Sequence, residues 1–279
     1  MGKIIPYSRQ YIDKSDVESV KKVLKSDYLT TGPQINKFEN LVNKYCGSKY
    51  SVAFNSATSA LHIACMALKL KKNDILWTSP ISFVASANCG LYCGAKIDFV
   101  DIDIETFNIS LYKLEKKLIQ AKKNKKLPKA LVVVHLGGLS CKMKEISKLS
   151  KKYRFKIIED ASHALGAIYN NSRVGSCKYS DITVFSFHPV KIITSAEGGV
   201  ATTNQKRLAD QMSILREHGI VREKSKFTER SHGKWFYQQQ YLGFNYRLSD
   251  VHAALGINQL KKINLFVKRR NQIINIYKT

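Results

Sequence analysis

The chain has 279 residues, enough to bury a sizeable core in one large domain or two smaller ones, and 44% of its residues are hydrophobic, an ordinary globular share. Lys and Arg number 46 against 21 Asp and Glu, a formal charge of +25, which raises a nucleic-acid or anionic-surface partner. The basic residues are dispersed, however, and clusters such as Lys122-Lys123 with Lys125-Lys126 read as a solvated helix end. Six cysteines lack any CxxC pair, which fits reduced thiols in a cytoplasm, and Cys89 and Cys93, four apart, read as core packing rather than a metal site. No stretch approaches a membrane span and the N-terminus carries no secretory h-region, so a soluble intracellular protein without metal is expected.

In chain order, Ser15–Lys25 has Val17, Val20, Val23 and Leu24 at helical spacing, with Ser15 or Asp16 available as cap. A polar turn at Ser26–Pro33 precedes a second amphipathic pattern at Ile35, Phe38, Leu41, Val42 and Tyr45. Apolar runs at 51–54, 75–78, 97–100, 131–135, 156–158, 182–187 and 200–203 then alternate with helical patterns at 59–70, 111–121, 143–153 and 207–217. That alternation predicts an α/β fold with a mostly parallel sheet between helices. After Leu248 one long helical pattern runs to Thr279, read as a helix leading into a small C-terminal domain that is largely missing. The expected division is therefore a large domain over 1–250 and a helix over 251–279.

The stretch around which the chemistry gathers is Asp181–Asn204, DITVFSFHPVKIITSAEGGVATTN: a β-branched run, a polar turn with the single lysine Lys191, and a Gly198-Gly199 pair opening a second run. Loops held at the end of a rigid sheet carry chemistry, and in a parallel sheet ligands gather beyond the carboxyl ends of strands. After 51–54 come Ser56, Ala57, Thr58 and Ser59 at a helix start, which either form an ordinary cap or hold a phosphate through free N–H groups and the helix dipole. After 75–78 comes Phe83, either a core ring or a ring on which a flat cofactor stacks; taken alone, core is the simpler reading. After 156–158 come Glu159, Asp160 and His163, where a carboxylate can be a mere cap or can keep a heteroaromatic nitrogen protonated. Lysine, carboxylate and phosphate-holding helix start together point to pyridoxal phosphate.

These residues lie in ordered motifs, SDYLTTGP, NSATSALH, SPISFVAS, VDID, EDASHALGA, SFHPVKIITSAEGG, REHGI and GFNYRLSDVHAALGINQL. The series resembles the DegT/DnrJ/StrS sugar aminotransferases, fold type I pyridoxal-phosphate enzymes, over essentially the whole chain. The resemblance implies the fold type I large domain with a seven-stranded sheet, Lys191 as the lysine bonded to the cofactor, Asp160 at the pyridine nitrogen and His163 beside the ring. It also implies Phe83 stacked on the ring, Ala57, Thr58 and Ser186 at the phosphate, and Asn245 reaching the phosphate of a neighbouring subunit's cofactor, hence a homodimer. Tyr7, Thr30, Gly32, Pro33 and His188 are placed near the sugar. IPYSRQYID, SDYLTTGP and CGSKY are most similar to the branch that uses glutamate to aminate a UDP-linked 4-keto sugar in pseudaminic-acid synthesis, giving UDP-4-amino-4,6-dideoxy-N-acetyl-β-L-altrosamine. The alternatives are another nucleotide-sugar 3- or 4-aminotransferase, an inactive shortened copy or, on charge alone, a nucleic-acid-binding protein. A dehydratase branch of the family has histidine where Lys191 stands, which argues against that chemistry.

Overall fold

The computed structural model describes Pro6 and residues 8–278. The elements in chain order are α1 (Lys14–Leu24), α2 (Pro33–Cys46), β1 (Tyr50–Phe54), α3 (Ala57–Ala67), β2 (Ile75–Thr78), α4 (Ala85–Tyr92), β3 (Lys96–Phe99), α5 (Leu111–Lys123), β4 (Ala130–Val134), α6 (Met143–Tyr153) and β5 (Lys156–Asp160). A small hairpin of β6 (Ile168–Tyr169) and β7 (Ser172–Arg173) comes next, then β8 (Ile182–Ser186), β9 (Gly199–Thr203), α7 (Lys206–Leu215), the paired β10 (Ile220–Val221) and β11 (Gln238–Gln239), α8 (Asp250–Lys261) and α9 (Ile263–Lys278). All seven apolar runs are strands of one sheet, ordered β1-β9-β8-β5-β4-β2-β3. The pairs from β8 to β3 are parallel, and β9 runs antiparallel to both β8 and β1. One reversed strand thus brings the end of β1, the end of β8 and the start of β9 to the same edge, with Gly199 opposite both Phe54 and Ser186.

The period of two along each strand divides the core. Ala130 and Val132 of β4, with Ile182 and Val184 of β8, pack under α3, α4 and α7. On the opposite face Leu131 and Val133 pack under α5 and α6, while Phe185 joins Phe38 of α2 and Ala253 and Ile257 of α8. Strands covered on both faces need no polar alternation, which is why β4 reads as a continuous apolar run and every residue of β8 is buried.

Three local expectations change. The first helix is capped by Asp13 rather than by Ser15 or Asp16: its carboxylate accepts from the N–H groups of Ser15 and Asp16, and Asp16 returns a bond to the Asp13 N–H. A reciprocal capping box satisfies two otherwise orphaned sets of donors at once. The C-terminal helical pattern is two helices separated at Lys262, and α8 packs into the same core as α2. The third concerns Thr30–Pro33. The Gly32 N–H donates to Asp250 Oδ1 at 3.0 Å and the Gln34 N–H to Asp250 Oδ2 at 3.2 Å, so a side chain from α8 caps α2, and a Cβ at position 32 would collide with that carboxylate.

Candidate active site

Four strand ends and two helix starts enclose a cavity of about 460 Å³, within the range of small-molecule sites. It is lined by Ala57, Thr58, Phe83, Asp160, His163, Ser186, His188 and Lys191, all expected from the sequence, together with Ser56, Ser162, His135 and Glu197.

Lys191 sits half-buried in the loop between β8 and β9. The loop is closed by its own bonds: the Phe187 N–H donates to Gly198 O, the Ser195 N–H and the Thr194 hydroxyl donate to Phe187 O, and the Lys191 N–H donates to His188 O, each at 2.9 Å. Ala196 adopts a left-handed φ of 66° within it and donates its N–H to Thr194 Oγ1, an uncommon conformation for a residue with a Cβ. Burial holds the Lys191 amine below the ordinary lysine range, and the Asp160 charge partly opposes this. The neutral amine, the form that acts as base or nucleophile, gains accordingly.

Asp160 ends β5 and is 4% exposed. The Ser86 hydroxyl donates to Oδ2 at 2.6 Å, and the Ser162 hydroxyl and N–H donate to Oδ1 at 2.6 and 3.2 Å. All three contacts are donors and none is a cation, so the carboxylate keeps acceptor capacity toward the cavity. His163 receives the Gly137 N–H on Nδ1 at 3.3 Å, which leaves Nε2 to carry the proton of the neutral ring. Its pKa is lowered by burial and by the Lys191 charge, against an upward pull from Asp160.

Glu159, the other carboxylate of the motif, takes a different direction. Successive side chains on a strand alternate faces, and Glu159 turns away from Asp160 to meet His135 Nε2 at 2.7 Å, with the Ser180 and Thr183 hydroxyls also donating to it. The His135 Nδ1 accepts the Cys141 N–H, so the ring proton lies on Nε2 and is donated to Glu159. Despite burial, His135 holds the Glu159 carboxyl below its ordinary pKa. Sequence reasoning left out His135, Ser86 and Ser162; the strand period separates Glu159 from Asp160 but does not name the partner that Glu159 meets.

Ser56 caps α3 by accepting the Ser59 N–H, and the Ala57 and Thr58 N–H groups have no protein partner among the described residues, both residues lining the cavity. A Cβ on Gly199 would lie 2.5 Å from Ala57 N, so the glycine is required by the close approach of β9 to this turn. Phe83 is 68% exposed and lines the cavity, which overturns the core reading of that ring. Its backbone belongs to the turn before α4, where no strand or helix covers it.

The remaining sequence candidates lie elsewhere. Asn245 is exposed, in a short bridge with Glu217, and does not line this chain's cavity. Pro33 borders a separate surface depression with Tyr28 and Asp250, and Thr30 and Gly32 sit in the adjoining turn. Tyr7 lies outside the described residues.

The same arrangement of motifs and fold is found in known proteins. Residues 10–279 match the model of the DegT/DnrJ/EryC1/StrS aminotransferase family. The chain belongs to this aminotransferase family. Among similar sequences, the UDP-4-amino-4,6-dideoxy-N-acetyl-beta-L-altrosamine transaminase of Campylobacter jejuni serotype O:2 is 44% identical over 274 residues, covering 98% of this chain and 69% of the relative. Among solved structures, Helicobacter pylori PseC, an aminotransferase involved in the biosynthesis of pseudoaminic acid, superposes with a TM-score of 0.83 at 35% identity, over 94% of this chain and 67% of that one. The PLP-form of Spr1654 from Streptococcus pneumoniae superposes with a TM-score of 0.86 at 27% identity, over 98% of this chain and 70% of that one. As an aminotransferase-family chain, the protein thus carries Lys191 and Asp160 in one cavity. Among the described residues, no helix is long and apolar enough to cross a membrane.

Proposed function

We propose that the protein is a pyridoxal-phosphate-dependent nucleotide-sugar aminotransferase that moves the amino group of glutamate to the 4-keto carbon of a UDP-linked deoxy sugar, yielding UDP-4-amino-4,6-dideoxy-N-acetyl-β-L-altrosamine for pseudaminic-acid synthesis. The observation that carries the reading is the convergence, in one cavity, of a desolvated lysine, a buried carboxylate without a cation partner and a helix N-terminus with free N–H groups. The similarity to the altrosamine transaminase supports the sugar assignment.

The residues present fit the cofactor. The unpaired Ala57 and Thr58 N–H groups, the positive end of the 11-residue helix α3 and the Ser186 hydroxyl suit a phosphate. The exposed Phe83 ring offers a stacking surface for a flat heterocycle. Bound pyridoxal phosphate supplies an electron sink through which an amino group is carried from donor to acceptor. Asp160, fixed by Ser86 and Ser162, holds a proton at the ring nitrogen. Lys191, its amine favoured in the neutral form by burial, takes a proton from the donor's Cα and in the second half-reaction returns one to the sugar's C4. His163 and His188 sit at the cavity's rim, where they orient polar groups of the ligand.

Asn245 is the residue through which a homodimer would share its sites. Phe244 and Tyr246 stack on each other at 4.9 Å and both pack edge-on against the buried His62 ring. Flanked by two anchored rings, Asn245 is itself exposed. The same site is proposed to operate in the cytoplasm, where nucleotide sugars and glutamate are at hand.

Two measurements test the proposal. Borohydride reduction in the presence of pyridoxal phosphate should leave a pyridoxyl group on Lys191 by peptide mass mapping; a label elsewhere, or none, overturns the cofactor assignment. Incubation with glutamate and UDP-linked 4-keto sugars, with the product determined by NMR, should give amination at C4, and a product aminated at C3 overturns the sugar assignment.

A further inference from the structure

A second, smaller pocket of about 140 Å³ opens behind the Lys191 loop. Four segments form it: residues 9–11, the loop over 189–194, Gln259 of α8 and the first turns of α9. Arg9, Arg269 and Arg270 all line it with Lys191, and no Asp or Glu does. Among the described residues none of the three guanidiniums has a carboxylate partner: Arg269 donates to the Gln272 side chain and Arg270 to the Lys191 carbonyl, both at a long 3.4 Å. The carboxylates nearest Arg9 in sequence, Asp13 and Asp16, are occupied by Lys262 at 2.6 and 2.9 Å.

The pocket walls are tied together. Gln259 donates to Tyr11 O at 2.9 Å and accepts the Thr194 N–H at 3.5 Å, and Tyr11 meets Phe266 edge-on with ring centroids 5.8 Å apart. The fold therefore gathers three exposed guanidinium groups around one small space with no carboxylate in its lining, an arrangement that a bound anion would complement. Guanidinium groups match the planar oxygens of carboxylates and phosphates with paired N–H donors. The volume suits one such group rather than a whole nucleoside, since sites for entire small molecules run from about 300 Å³ upward.

We propose that this pocket is an anion subsite that takes a phosphate or carboxylate group of a substrate whose reacting atom lies at Lys191 in the larger cavity. The inference rests on the aminotransferase reading of Lys191, which lines both spaces. Such an anion belongs either to the diphosphate of the nucleotide sugar or to a carboxylate of the amino donor. Arg270 also donates to the Lys191 carbonyl, so one of the three arginines touches the reactive loop directly.

The test titrates the full chain with pyrophosphate, UDP and glutarate by calorimetry, with uridine as the neutral control, for wild type and for Arg9→Gln, Arg269→Gln and Arg270→Gln. Each substitution is expected to weaken anion binding about tenfold, the loss of one charge-assisted bond, and Arg→Lys at the same positions should restore part of it. Loss confined to pyrophosphate and UDP assigns the subsite to the nucleotide diphosphate, and loss confined to glutarate assigns it to the donor. Unchanged affinity for all three anions in variants that melt like the wild type overturns the subsite, as does a wild type that binds no anion better than uridine. Borohydride labelling of Lys191 on the same samples separates the two ideas: label kept with anion binding lost upholds both, whereas a wild type that takes no label sinks the cofactor reading while the titrations still report on the arginines.

Discussion

Two buried aspartates, Asp16 and Asp160, show how one side-chain type serves two purposes. Asp16, wholly buried between α1 and α8, accepts from Lys262, Asn258, Gln259 and the Asp13 N–H. Those bonds hold its carboxyl below the ordinary pKa against the opposing effect of burial, the largest single influence on it. Asp160 is nearly as buried but has two hydroxyls, one N–H and no cation, and it borders a cavity. A carboxylate saturated by protein donors and a lysine is a fastener. One left with spare acceptor capacity at a void is arranged for a ligand.

Substitutions sharpen the contrast, starting at the lysine across the cavity from Asp160. Lys191→Ala should lower transamination by about 10⁴-fold, since it removes the proton-transfer group, and should abolish the borohydride label while leaving the circular-dichroism spectrum unchanged. Asp160→Asn should cost about 10²- to 10³-fold in kcat, the scale of one preorganised electrostatic contact, with a melting midpoint close to wild type. Asp16→Asn should do the reverse. Its loss of a buried charged contact should destabilise the fold by about 2 kcal/mol in denaturant titrations, with kcat per folded molecule unchanged. If Asp160→Asn instead unfolds the chain and Asp16→Asn silences it, the contrast is wrong.

The two carboxylates also differ in what acid and base should do. Because the Asp16 pKa is lowered in the fold, its contribution is fully present above the ordinary carboxylate value and is lost as pH falls below about 4. Denaturation midpoints of wild type and Asp16→Asn should therefore converge in acid. Asp160 acts on Lys191 instead: its charge pulls the lysine's pKa upward against burial. Removing that charge in Asp160→Asn should move the pH dependence of Lys191 acetylation, measured by mass spectrometry in the cofactor-free protein, to lower pH. The smallest effect is expected at the phosphate seat, where Thr58→Val keeps the backbone N–H and should weaken cofactor affinity about fivefold, one neutral hydrogen bond's worth.

Much of this was legible in the chain itself. The seven strands arise from β-branched runs bounded by turns, and Lys191, Asp160, Ala57 and Thr58 stand at or just beyond strand ends because the local pattern that ends a strand also exposes the residues next to it. These are properties of neighbours in sequence. Only the tertiary structure decided that Glu159 belongs to His135 on the other face of the sheet, and that Asp250 reaches back to cap α2 at Gly32. It also decided that Phe83 stays out of the core and that Arg9 meets Arg269 and Arg270 behind the lysine loop. Each depends on which remote segments the packing of helices over a seven-stranded sheet brings together, and the spacing of residues along a chain does not encode that closure.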